Sequence, residues 1–161
     1  MRVLGVAGYS DSGKTTVIER LVPVLRERGR VATVKSIHHD VEMDDPGKDT
    51  HRHRTAGAHT VVGVTPSLTF RVDDGGKGTD PDAETAALDR VLGDLADADY
   101  VLVEGFKQAA IPTLLVGDVP EDEVGGEVMG RVTVDDLDVE RVVALVEDLP
   151  DYVGPAEQES D

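Results

Sequence analysis

The chain has 161 residues, enough for one packed domain that is stable without disulfides or a structural metal. It contains no Cys, which excludes a disulfide framework, a cysteine nucleophile and thiolate metal ligands. A formal net charge of −17 and the lack of a basic patch exclude a protein that binds duplex nucleic acid.

The acidity itself has two explanations. The 33 acidic residues, against 16 basic ones, are spread along the chain, which favours a surface solvated for high salt over one that binds a basic partner. The sequence therefore predicts a halophilic protein. It shows no export signal and no run of about 18 apolar residues, so we expect a cytoplasmic protein with no membrane contact.

The apolar residues predict an α/β fold with an aliphatic, sheet-rich core, because hydrophobic residues make up 39% of the chain and aromatic residues only 3%. Apolar runs predict strands, and apolar residues at helical spacing predict helices. In chain order these are strand 3–7, helix 14–28, strand 31–37, short helix 49–56, strands 60–64 and 68–72, helix 83–96, strands 100–103, 112–116 and 128–134, and helix 139–149. We expect a single domain over residues 1–153 and a disordered acidic tail over residues 154–161.

The connections carry turn signals of their own. Gly29 follows the first predicted helix as a stop, and Pro23 inside that helix predicts a kink or an earlier end. Residues 38–49 are too irregular for regular structure, and residues 65–67 favour a hairpin turn. Residues 73–82, rich in Gly and Asp, are expected to form a mobile connection.

The turn after the first strand matches the phosphate-binding pattern G-x-x-x-x-G-K-[ST] in its required context, between a strand and a helix. The loop consists of Gly8, Tyr9, Ser10, Asp11, Ser12, Gly13, Lys14 and Thr15. Its glycines let successive N–H groups turn inward, and the helix N-terminus adds a partial positive charge there. The motif predicts a three-layer P-loop NTPase fold, with a mostly parallel central sheet flanked by helices, that binds a purine nucleotide with Mg²⁺.

Individual roles in the loop follow from the chemistry of its side chains. Lys14 is expected to reach the β- and γ-phosphates, and Thr15 to place its hydroxyl on Mg²⁺. Thr16 is expected to hydrogen-bond the α-phosphate. Because Asp11 brings a negative charge into a phosphate loop, its side chain is expected to face away from the ligand.

Other polar residues fall outside the loop. Glu104 ends a buried strand and is expected to anchor Mg²⁺, directly or through water. All five histidines lie between positions 38 and 59, which leaves open a transition-metal site, a solvated loop, or contacts with nucleotide or partner. Their spacing matches no compact zinc pattern. Asp40 is the best candidate in this loop for Mg²⁺ or water positioning, and His38 and His39 for nucleotide contacts.

Together these motifs resemble the family of molybdopterin-guanine dinucleotide biosynthesis adaptors (MobB). The blocks that carry the resemblance are residues 8–16, residues 35–40 (K-S-I-H-H-D) with 45–50 (D-P-G-K-D-T) and 54–58 (R-T-A-G-A), and residues 101–107 (V-L-V-E-G-F-K). The middle block is the specific one. Two positions depart from the family pattern, which usually has a histidine in place of Ser36 and a small residue, often Gly, in place of Asp11.

The resemblance implies a homodimeric, GTP-binding accessory protein with weak Mg²⁺-dependent GTPase activity. It also implies a partner, the guanylyltransferase that attaches GMP to molybdopterin. GTP is inherited from the resemblance alone, because the chain has no N-K-x-D base-reading segment. In this interpretation Lys14 and Mg²⁺ neutralise phosphate charge, while Asp40 or Glu104 positions water.

Two alternatives come from other classes of protein. A small-molecule kinase would use Arg52 and Arg54 as an acceptor clamp and the loop at residues 73–82 as a lid. A binding module without turnover would use nucleotide only to fix its shape for a partner.

Overall fold

The structure is a computed structural model that describes residues 1–154, apart from the side chain of Pro81. The predicted tail therefore lies outside the described residues, except for Gly154. The helices and strands are β1 (Arg2–Ala7), α1 (Lys14–Arg26), β2 (Val31–Lys35), α2 (Asp49–Thr55), β3 (Thr60–Val64), β4 (Thr69–Asp73), α3 (Pro81–Asp94), β5 (Tyr100–Glu104), β6 (Thr113–Val116), β7 (Val128–Val132) and α4 (Val139–Asp148).

Each helix and strand predicted from the sequence is confirmed, with shifts of at most two residues at its ends. The first helix ends at Arg26, two residues before the predicted end at residue 28, and Pro23 lies inside its last turns. A short 3-10 helix at Glu121–Glu123 is not among the predictions. By its contacts the chain divides into two compact units, one of residues 1–36 with the chain from Thr79 onward and one of Ile37–Gly78. The single domain over residues 1–153 stays a prediction.

The first unit is built around a five-stranded sheet in the order β2-β5-β1-β6-β7, in which every neighbouring pair is parallel. Successive side chains of a strand point to opposite faces, so each strand contributes to two cores. In β1, Leu4 and Val6 pack with α1 and α4, whereas Val3 packs with α3. Helices thus cover both faces, which confirms the predicted three-layer α/β architecture.

The second unit contains α2 and an antiparallel hairpin of β3 and β4, with Thr60 opposite Asp73 and Val64 opposite Thr69. The predicted turn is confirmed, since the Thr65 amide donates to the Leu68 carbonyl at 2.8 Å. Residues 36–48 contain no helix or strand, in line with the prediction for residues 38–49. None of the helices in the described part of the chain is long and apolar enough to span a membrane.

Parallel strands bring their carboxyl ends to one edge of the sheet. Strand β5 pairs with β1 on one side and with β2 on the other. Glu104, the last residue of β5, lies opposite Val6 of β1 and opposite Lys35 of β2. The loop after β1 and the last residues of β2 and β5 therefore lie side by side. This edge carries the candidate site.

Candidate phosphate-binding site

The loop from Gly8 to Gly13 leads from β1 directly into α1. Asp11 and Gly13 adopt positive φ angles, 59° and 94°, which turn the chain sharply before the helix. Gly13 occupies the N-cap position and no side chain caps the helix. The first N–H groups of a helix have no partner within the helix. Those of α1 are therefore available to an anion, with the favourable field of the helix N-terminus.

The loop is closely packed at both of its glycines. A Cβ on Gly8 would lie 2.3 Å from Ser12 Oγ and 2.7 Å from the Val116 carbonyl, and one on Gly13 would lie 2.2 Å from Val134 Cγ2. Ser12 Oγ is buried and has no hydrogen-bond partner among the described residues. A buried hydroxyl without a partner is costly unless a ligand satisfies it. The Ser12 hydroxyl and the first N–H groups of α1 are donors that fit a phosphate group. Asp11 is exposed, away from the buried part of the loop.

Lys14 holds its ammonium group over the loop. Its Nζ donates to the carbonyls of Gly8 at 3.0 Å and Tyr9 at 2.6 Å. Desolvation lowers the pKa of Lys14, and the positive charges of Lys35 and Lys107 lower it further, against the opposing effect of Glu104. Three lysine ammonium groups therefore act on the same small region, which is the electrostatic environment a polyphosphate needs.

Glu104 is nearly buried, with 8% of its surface exposed. The Thr15 hydroxyl donates to both of its carboxylate oxygens, at 3.1 and 3.2 Å, and Lys35 Nζ lies 3.1 Å from Oε1. Hydroxyl and carboxylate oxygens are the hard ligands that Mg²⁺ prefers. The donor set that the first unit brings together thus fits the predicted magnesium site.

Thr16 lies in the first turn of α1, and its hydrogen bond to the α-phosphate stays a prediction. Three further predicted residues belong to the second unit. His38, His39 and Asp40 are exposed and lie in the segment without helix or strand. Their contacts with nucleotide or Mg²⁺ stay predictions. Among the described residues, no group of three or more His, Asp or Glu side chains is placed to hold a metal ion, so the structure lends no support to a transition-metal site in the histidine cluster.

The arginines of this unit are engaged with acids. Arg54 forms an ion pair with Glu42, and hydrogen bonding to Arg54 is the largest cause of the lowered pKa of Glu42. Arg52 lies 3.6 Å from Asp49 on the exposed face of α2.

Sequence analysis missed four residues that the fold places at the site. Lys35 lies opposite Glu104, and Tyr9, Lys107 and Glu123 form a second cluster beside the loop. Tyr9 occupies a variable position of the motif, and its partner Glu123 is more than a hundred residues away in the sequence. Lys35 lies near the end of a predicted strand, but its place beside Glu104 depends on the pairing of β2 with β5, which the sequence does not record.

In comparisons with known proteins, the sequence profile of the family "Molybdopterin guanine dinucleotide synthesis protein B" matches residues 3–125. The chain is 35% identical over 153 residues to the molybdopterin-guanine dinucleotide biosynthesis adapter protein of Haemophilus influenzae, covering 92% of this chain and 83% of that protein. It is 34% identical over 131 residues to the Escherichia coli adapter protein, covering 76% and 71%.

A crystal structure of molybdopterin-guanine biosynthesis protein B superposes with a TM-score of 0.69 at 29% identity, covering 91% of this chain and 99% of that one. The resemblance inferred from the loop, the histidine block and the strand-end glutamate is confirmed. Since the family match covers most of the described residues, the chain belongs to the molybdopterin guanine dinucleotide synthesis protein B family, whose role is in the biosynthesis of molybdopterin guanine dinucleotide.

Proposed function

We propose that this protein is a GTP-binding accessory factor of molybdopterin guanine dinucleotide biosynthesis with weak, Mg²⁺-dependent GTPase activity. The observation that carries the proposal is the loop before α1. There an uncapped helix N-terminus, an unpartnered buried hydroxyl on Ser12 and the Lys14 ammonium converge. Guanine as the base and an adapter role come from the family and from the names of the relatives.

Phosphate binding would change the hydrogen-bond partners of Lys14. Lys14 holds two loop carbonyls, and an incoming polyphosphate would draw its ammonium away from them. The desolvation that lowers the pKa of Lys14 is then offset by the negative phosphates, which favour its charged form. The backbone N–H groups at the start of α1 hold the phosphate without any side-chain movement.

Thr15 and Glu104 would hold Mg²⁺, which, when bound, neutralises charge on the β- and γ-phosphates. The protein's own residues then act by position: Lys14 stabilises the developing negative charge, and Glu104 or Asp40 orients water. The side-chain amide of Gln108 donates a hydrogen bond to the backbone carbonyl of Glu123 at 3.1 Å, so this glutamine is not assigned to the reacting phosphate. With no glutamine or arginine assigned to the reacting phosphate, turnover is expected to be slow unless a partner or second subunit completes the site.

The partner in this proposal is the molybdopterin guanylyltransferase, and the protein acts as a homodimer in the cytoplasm. A small-molecule kinase is less well supported, because Arg54 and Arg52, its proposed acceptor clamp, are paired with carboxylates of their own unit. No observation favours that second function.

Lys14→Ala tests the site. We expect it to abolish binding of a fluorescent GTP analogue in Mg²⁺ and molar KCl, because the ammonium that neutralises the phosphates is lost. Arg26→Ala removes an equal charge from an exposed residue in the last turn of α1 and is expected to bind as the unchanged protein does. Equal affinity of the Lys14 variant and the unchanged protein would refute the assignment.

Turnover is tested separately. Phosphate release from GTP and ATP is measured with and without the guanylyltransferase. A slow release from GTP that the transferase stimulates is the expected result. Tight binding of GTP with no release in either condition would instead indicate a module that uses nucleotide only for its shape.

A further inference from the structure

The ion pair between Lys35 and Glu104 follows directly from strand register. The two residues are opposite each other at the ends of the neighbouring parallel strands β2 and β5. Lys35 Nζ lies 3.1 Å from Glu104 Oε1, and the side chain of the lysine is 56% exposed while that of the glutamate is 11% exposed. The ammonium group therefore approaches a buried carboxylate from the solvent side.

Glu104 needs a counter-charge where it stands. A carboxylate removed from water is stable only if it is paired and hydrogen-bonded. The Thr15 hydroxyl supplies the hydrogen bonds, at 3.1 and 3.2 Å, but no charge. Lys35 is the cation in direct contact with this carboxylate, so it supplies the compensating charge.

The same two oxygen-bearing side chains are those that would hold a divalent cation. A metal ion at Thr15 and Glu104 would face the Lys35 ammonium across a single carboxylate. Two positive charges a few ångströms apart repel each other, and the water around the exposed Lys35 weakens this repulsion without removing it. Lysine and metal therefore compete for Glu104.

We propose that Lys35 is the resident counter-ion of Glu104 in the nucleotide-free protein, and that it is displaced when a divalent cation takes this carboxylate. Lys35 thereby sets the divalent-cation concentration at which the nucleotide binds. The inference rests on the proposed function in placing the metal at Thr15 and Glu104. Lys35 is a positioning residue in this scheme, since it acts through Glu104.

The variants are Lys35→Met, which keeps most of the apolar stem and removes the charge, and Lys35→Arg, which keeps the charge. Arg30→Met is the matched control, because it removes an equal charge from a residue that is paired with Asp97 and lies just before β2, at the end of the strand opposite Lys35. Any general effect of making this acidic protein more negative appears in both methionine variants. Only the effect through Glu104 is confined to Lys35.

Binding of the metal alone is measured first, with Mn²⁺ as the probe and the electron paramagnetic resonance signal of free Mn²⁺ as the readout. Without nucleotide, we expect Lys35→Met to bind Mn²⁺ about threefold or more tightly than the unchanged protein, as expected for loss of a competing ion pair. The Arg30→Met and Lys35→Arg variants are expected to stay close to the unchanged protein. The metal-free melting temperature of Lys35→Met is expected to fall, because Glu104 is then buried without a counter-charge.

Nucleotide binding is measured second, by titrating Mg²⁺ at a fixed concentration of fluorescent GTP analogue. We expect Lys35→Met to reach half-maximal binding at a lower Mg²⁺ concentration. A higher Mg²⁺ requirement, or weaker binding at saturating Mg²⁺, would overturn the proposal and indicate that Lys35 holds the phosphates instead.

The two measurements separate this inference from the proposed function. If the unchanged protein binds no guanine nucleotide while Lys35→Met still gains Mn²⁺ affinity, the proposed function fails and the counter-ion role stands. If nucleotide binds but all variants have equal metal requirements, the counter-ion role is wrong. A loss of metal affinity in Lys35→Met would also overturn it.

Discussion

Glu123, in the segment after β6, contacts the loop between β1 and α1 through its side chain. It accepts a hydrogen bond from the Tyr9 hydroxyl at 2.6 Å and pairs with Lys107 at 3.2 Å, while the Lys107 ammonium lies 4.6 Å from the centre of the Tyr9 ring. Hydrogen bonding from Tyr9, and then from Lys107, lowers the pKa of Glu123. A carboxyl with a lowered pKa keeps these contacts above its ordinary pKa and loses them only as the pH falls through the lowered value.

Glu123→Gln keeps the shape and the accepting oxygen but removes the charge that neutralises Lys107. Affinity for GTP is expected to rise about two- to threefold at low salt, as is usual for one exposed charge, and the gain should disappear in molar KCl. Titration with a fluorescent GTP analogue at low salt and in molar KCl measures this affinity. Glu121→Gln makes the same charge change in the same 3-10 helix and should have less effect. Equal gains in both variants would show that Lys107 takes no specific part.

Ser36, directly after β2, occupies a tightly packed position. It is 8% exposed, its hydroxyl donates to Glu84 at 2.9 Å, and its amide donates to the Glu104 carbonyl at 2.8 Å. Even a Cβ added to Gly105 would lie 2.8 Å from the Ser36 Cβ. A serine is small enough for this position, which brings its hydroxyl and amide into contact with two glutamates.

At the scale of elements, α1 depends on the conformation of the residue before it. Gly13 has a φ of 94°, which a residue with a Cβ adopts only at a cost, and the added Cβ would collide with Val134. Gly93, near the end of α3, has nothing within 4 Å of the added Cβ. The same substitution at the two glycines is therefore expected to act in opposite directions.

Gly13→Ala is expected to lower the free energy of unfolding by about 1–3 kcal/mol, from backbone strain and the collision. Gly93→Ala is expected to raise it by about 0.5–1 kcal/mol, since alanine is the better helix former. Urea unfolding of both variants measures the difference in the free energy of unfolding. The comparison holds if the slope of that free energy against urea concentration is the same in both variants. A Gly13 variant as stable as the unchanged protein would mean that the loop adopts a different conformation in solution.

Element type was predictable because apolar spacing reports it locally. The strands of the central sheet are apolar runs, and β5 is buried along its whole length. The ends of helices were less predictable, since the first helix ends at Arg26 and not at residue 28. The 3-10 helix at Glu121–Glu123 was not predicted at all, because it has no apolar periodicity. That missed element carries Glu123, which is why its cluster was missed as well.

At the scale of the whole molecule, net charge sets the response to salt. A formal charge of −17 makes the folded chain repel itself, and this repulsion weakens as the Debye length shortens. The melting temperature is expected to rise from about 0.1 M to about 1 M KCl, as the Debye length falls from roughly 10 Å to roughly 3 Å, and then to level off. Thermal unfolding followed by circular dichroism measures it. A melting temperature that falls with KCl would contradict the halophilic prediction.

The sequence by itself determined the α/β class, the type and order of the helices and strands, and the family, and it predicted the phosphate-binding loop. These rest on local patterns: apolar spacing, and glycines at fixed distances from a lysine and a threonine. Strand order, and with it the pairing of Glu104 with Thr15 and Lys35, was decided only by the tertiary structure. The physical reason is that hydrogen bonds between parallel strands join residues far apart in the chain, so no local pattern records which strand ends become neighbours.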